Sequence, residues 1–150
     1  MKRYAPYALS LLLSFILTTG FCQNNNPKPK QFNNFPEIVN CSEQELEKVF
    51  NTSPGQNISL AFSNNFTFAG TVKSNIAKYA NLQSAVIESP DYSNTIFHVS
   101  KVINADGTIG YVGRIINKSF FDGFELKKNV SGYQLKKVET DRVIQDCNLN

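Results

Sequence analysis

The sequence predicts an all-β fold, an antiparallel sandwich or barrel of about eight short strands with one short N-terminal helix; an α+β sheet is the alternative. Two observations carry this. Apolar residues recur at every second position through most of residues 57–138, the period of a strand with one buried face. Short polar clusters, Ser63-Asn64-Asn65, Asn104-Ala105-Asp106-Gly107 and Asn129-Val130-Ser131, interrupt that alternation at hairpin spacing.

The helix comes first. Ser42 is placed as its N-cap and Glu45, three residues on, completes a capping box, with Leu46, Val49 and Phe50 spaced along one apolar side. Asn51-Thr52-Ser53-Pro54-Gly55 stops it. Glu43, Glu45 and Glu47 invite a metal or basic-partner reading, but acids in the first turns suit the helix dipole and read as a solvated face.

The strands follow in order. Residues 58–62 and 66–72 alternate as a hairpin, residues 75–81 read as a helical turn or loop, and residues 82–88 form the next strand. Residues 95–103 and 108–116 flank a connection whose Gly107 can take positive φ. Gly123-Phe124-Glu125-Leu126-Lys127-Lys128 returns as Gly132-Tyr133-Gln134-Leu135-Lys136-Lys137. That step is too short for a solenoid unit and fits two antiparallel strands joined by a tight turn. Residues 138–145 are expected to add a last strand.

The N-terminus reads as an export signal over residues 1–22. Lys2 and Arg3 precede an apolar run over residues 8–17, and Gly20 and Cys22 stand at the small-residue positions for cleavage before Gln23. The run is roughly half of the ~20 apolar residues a spanning helix needs, so no transmembrane segment is expected. A lipid anchor on Cys22 is the alternative, although Thr19 and Phe21 stand where such an anchor favours Leu and a small residue. The expected location is secreted or periplasmic, or the outer envelope if Cys22 is lipidated. Residues 23–36, rich in Asn, Pro and Lys, read as a flexible leader, and residues 37–150 as a single domain.

Removal of the signal leaves Cys41 and Cys147, an even pair expected to form a disulfide in an oxidising compartment. Such a bridge stabilises by about 4–5 kcal/mol in the chain-entropy account. Of the 15 basic residues four precede residue 37, leaving 11 against 12 acidic in the domain. Near-neutrality argues against nucleic acid as a partner.

For chemistry the sequence offers little. There is no phosphate loop, dinucleotide fingerprint, zinc spacing or EF-hand, so no catalytic residue, cofactor or metal is assigned. Lys127, Lys128, Lys136 and Lys137 form a possible basic ridge for a protein or glycan partner, with Phe124 and Tyr133 as stacking surfaces. The competing reading is strand-end lysines that deter edge pairing. His98 is the single histidine; a hydrolase would pair it with a carboxylate such as Asp122 or Glu125. The expectation is therefore a non-catalytic exported or cell-envelope binding module, with a small secreted hydrolase or an inhibitory, prodomain-like module as alternatives.

The signal ending Phe21-Cys22-Gln23, the Asn- and Lys-rich leader and the small β-rich domain closed by Asp146-Cys147 resemble the small secreted proteins of unknown function of Bacteroidota-type bacteria. The resemblance implies export and no particular activity.

Overall fold

The computed structural model describes residues 28–143. Eight strands make one antiparallel sheet curled into a nearly closed barrel: β1 Ile38–Cys41, β2 Asn57–Ser63, β3 Phe66–Tyr79, β4 Leu82–Ser89, β5 Thr95–Ile103, β6 Ile109–Ile116, β7 Asp122–Asn129 and β8 Gly132–Glu139. Strands β2 to β8 form a meander, each paired with its successor. β1, from the start of the described chain, adds to β8 in the register Ile38↔Lys136 to Cys41↔Tyr133. The all-β expectation holds.

The two-residue period fills the barrel. Leu60, Phe68, Ile87, Phe97, Val99, Ile115, Phe124 and Leu135 point inward and are fully buried, as the interior of a small closed sheet requires. Helix α1, Glu43–Phe50, closes one end with Leu46, Val49 and Phe50. Ser42 caps it by accepting the Glu45 N–H, but Glu45 does not complete the box. Its carboxylate accepts the Ala61 N–H of β2 at 3.0 Å, covering part of the edge that the sheet leaves between β2 and β1.

Three expectations are corrected. Residues 75–81 are mostly strand, because β3 runs to Tyr79. Register shifts between Val72 and Ser74 and between Ala77 and Tyr79 insert Lys73 and Lys78 as bulge residues, and each bulge breaks the alternation by which a strand is read. The long strand gives Asn75 a position from which its amide donates to the carbonyls of Val49, Phe50 and Thr52 at 3.0–3.3 Å, satisfying orphan acceptors at the C-terminal end of α1.

The final strand stops early. Glu139 ends β8, and Thr140–Val143 form a short helical turn, α2. Thr140, fully buried, donates its N–H to the Phe121 carbonyl at 2.7 Å, and its hydroxyl bonds the same carbonyl, which turns the chain out of the ladder. Residues 144–145 of the expected strand lie outside the described residues.

The leader and the domain boundary at residue 37 are also revised, since residues 28–36 belong to the fold. Phe32 is fully buried at the other end of the barrel, with ring centroids 5.1 Å from Phe124, 5.4 Å from Tyr92 and 5.9 Å from Phe66. Asp122 holds this strap. Its carboxylate accepts the backbone N–H of Gln31 at 2.6 Å and of Phe32 at 3.0 Å. Composition hid this because two phenylalanines among Asn, Pro and Lys suffice to anchor a short segment when the barrel supplies a socket.

Candidate functional site

Besides the open edge between β1 and β2, the barrel wall has a weak seam between β6 and β7. β5 pairs with β6 from Ile96↔Ile116 to Ile103↔Ile109, and β7 with β8 along the full length of both. Between β6 and β7 the ladder holds only through Gly113↔Leu126, Arg114↔Glu125 and Ile115↔Phe124. Gly113 is needed there: a Cβ would lie 2.7 Å from the His98 carbonyl oxygen and 3.2 Å from the Phe97 ring.

Beyond Gly113 the strands part because Tyr133 intervenes. Its buried ring meets Tyr111 edge-on at 5.4 Å, and its hydroxyl accepts the Tyr111 backbone N–H at 3.0 Å. A continued ladder would send that N–H to β7. Tyr111 is fixed from the opposite side. Its own hydroxyl donates to Glu47 at 2.6 Å, and Lys101 Nζ bonds both oxygens of the same carboxylate at 2.6 and 2.9 Å. Burial opposes charge on Glu47, but the bonds from Lys101 and Tyr111 hold its carboxyl below the usual range. Burial and then Glu47 push the Tyr111 hydroxyl up. The seam is thus wedged open by two tyrosines anchored to α1.

Strand parity defines what the opening presents. The Tyr111 N–H points into the seam, so Ile109 and Gly113, two residues either side, point their backbone groups the same way. On β7 the matching residues are Leu126, paired with Gly113, and Lys128. A cleft of about 460 Å³ lies over this opening, lined among others by His98, Val112, Arg114, Glu125, Lys127 and Lys128. Val112, 58 % exposed, forms its apolar part.

The charges around the cleft are one-sided. Arg114 and Lys127 bond Glu125 at 3.2 and 2.7 Å. Their effect, Lys127 first and against some burial, holds the Glu125 carboxyl low. Lys136 is Glu125's cross-strand neighbour on β8, and Lys128 sits at the lip with its ammonium 5.7 Å from the Tyr133 ring centroid. Three cations, Arg114, Lys127 and Lys136, therefore share the outer face with one carboxylate, while Lys128 stands on the other face of β7 at the lip. His98, exposed, pairs in register with Arg114 and Val86. Partial burial and then Lys78 lower its pKa, so it is neutral near pH 7.

The expected lysine ridge is divided by this geometry. Lys127 and Lys136 are exposed on the outer face. Lys137 lies elsewhere, largely covered, donating to the Phe35 carbonyl at 2.8 Å and pairing with Glu37 at 3.2 Å. Phe124 and Tyr133 are core residues, 0 % and 2 % exposed, so neither is a stacking surface. A nucleophile and base do not assemble either. Asp122 is buried on the strap, both Glu125 oxygens hold cations, Ser100 bonds Ser84 at 2.6 Å, and among the described residues His98 has no carboxylate within hydrogen-bond reach. Among the described residues Cys41 is buried without a disulfide partner, and as a thiol its pKa is pushed up to about 12 by burial, then by Glu45; Cys147 and Cys22 lie outside the described residues. Among those residues no group of three or more His, Cys, Asp or Glu is placed to hold a metal, and no helix is long and apolar enough to cross a membrane.

What fold and cleft define together is an antiparallel barrel with a packed interior and a basic opening in its wall. Comparison of the chain with protein-family models, with curated proteins and with solved structures finds no match.

Proposed function

We propose that the protein is a non-catalytic exported module that binds an anionic ligand, protein or glycan, on the outer face of β6–β8. The observation that carries this reading is the charge imbalance at the cleft, where Arg114, Lys127 and Lys136 share the outer face with Glu125 alone in a domain whose total charge is near zero. Segregated charge of one sign beside a concavity raises the local concentration of oppositely charged partners. The packed interior supports a surface site over an internal one.

Export is proposed on the pattern of residues 1–22 alone, and with it a Cys41–Cys147 bridge. The intact mass of the mature protein before and after reduction tests both. A mass matching residues 23–150 less two hydrogens supports them, and one beginning at an acylated Cys22 replaces the soluble product by an anchored one. For the binding reading, the replacements Arg114→Glu, Lys127→Glu and Lys136→Glu together abolish salt-sensitive capture of acidic components from the envelope fraction. Capture that neither salt nor these replacements alters removes the basic face as the site.

A further inference from the structure

We infer that the ligand of the basic cleft is an extended acidic peptide segment of another protein, which adds as a short strand to the open edge of β6. The inference rests on the binding function proposed above and names its ligand class.

Three features of the cleft separate a peptide from a glycan. The first is backbone. Beyond Gly113 the β6–β7 ladder ends, so Ile109 presents its N–H and C=O, Tyr111 its C=O, and Lys128 its N–H and C=O, toward the opening by strand parity. Unpaired strand groups spaced two residues apart match the donors and acceptors of an extended chain, the basis of recognition by strand addition. The second is the apolar element. Ile109, 41 % exposed, lies on the same face of β6 as Tyr111, and suits the aliphatic side chains of an alternating peptide. The aromatic rings nearest the cleft, Tyr111 and Tyr133, are 5 % and 2 % exposed, so no ring face is offered to a sugar. The third is charge. Arg114, Lys127 and Lys136, on the opposite, outer face, favour carboxylates between those aliphatic positions.

The wedge explains why the edge stays free. With Tyr133 holding the Tyr111 N–H, β7 cannot zip onto β6, and the cations at the lip deter a neutral or basic strand.

The test uses the purified protein and a fluorescein-labelled peptide alternating Glu and Val, read by fluorescence anisotropy. A second peptide of the same sequence is N-methylated at every second residue, which removes backbone donors and keeps side chains and charge. The expected result is binding by the first peptide and about tenfold weaker binding by the second, with the Ile109 and Lys128 amides of the wild-type protein gaining protection from exchange on addition of the first. Equal binding of both peptides overturns strand addition while leaving the basic face intact. Tighter binding of a sulfated oligosaccharide, not displaced by peptide, overturns the ligand class. If Lys127→Glu, folded by circular dichroism, binds peptide and oligosaccharide as the wild type does, the proposed function itself fails.

Discussion

Tyr133, on β8, takes the backbone N–H of Tyr111, on β6, at 3.0 Å, reaching past the intervening strand β7 to do so. One hydroxyl therefore decides whether β6 and β7 zip or part. Replacing it (Tyr133→Phe) leaves the Tyr111 N–H buried without its partner. The expected cost is about 1–2 kcal/mol, the penalty of an unmade buried hydrogen bond. A urea titration checks this as a lowered midpoint at unchanged slope; an unchanged midpoint would mean that β7 supplies the missing acceptor.

Glu47 ties α1 to the wall through Lys101 and Tyr111. Glu47→Gln is expected to destabilise by about 1–2 kcal/mol, a figure reduced because the site is partly solvated. Lys101→Met alone should cost a comparable amount, and the double variant less than the sum of the two, because both changes dismantle one network. Strict additivity would count against the network.

The acid limb of stability follows in part from three of the depressed values. Glu47 and Glu125 titrate in the fold below their usual value of 4.5, and His98 below 6.5. In each case the unfolded chain binds the proton first, so stability rises with pH through this range. It is fully present above about pH 6.5 for His98 and above about 4.5 for the glutamates, and is lost as pH falls through the lower folded values. Thermal unfolding between pH 7 and 3 should show this decline, and Glu47→Gln should flatten its lower part. A stability maximum below pH 4 would contradict the assignment.

The strap makes a separate forecast. Phe32→Ala empties a fully buried aromatic site and is expected to cost about 3–5 kcal/mol. Asp122→Asn retains the size but loses charge against the Gln31 and Phe32 N–H groups, at roughly 1–3 kcal/mol. If truncation before residue 37 left the midpoint unchanged, the strap would be an ornament on the barrel and not part of it.

Much of the fold is written in the two-residue period, and the places where it fails are physical. Bulges at Lys73 and Lys78 shift faces inside β3, so a strand read by alternation dissolves into a loop. β1 is four residues long and only Val39 and Cys41 point inward, too brief a pattern to detect. At the site, the period should have divided the lysines. Neighbours on one strand face opposite ways, so Lys127 and Lys128, or Lys136 and Lys137, could not share one ridge. The seam left no local signal, because it depends on Tyr111 and Tyr133 meeting across strands. Near-zero total charge likewise concealed how unevenly the charges are placed.

The pairing of Ile38 with Lys136 sets an order on synthesis. The strand made first has no neighbour until the strand made last appears, and the Phe32 strap waits on Asp122 for the same reason. Contacts that distant in sequence are closed slowly. Synthesis must therefore reach the residues of β8 before the barrel can shut, although the successive hairpins of β2 to β7 can pair as they are made.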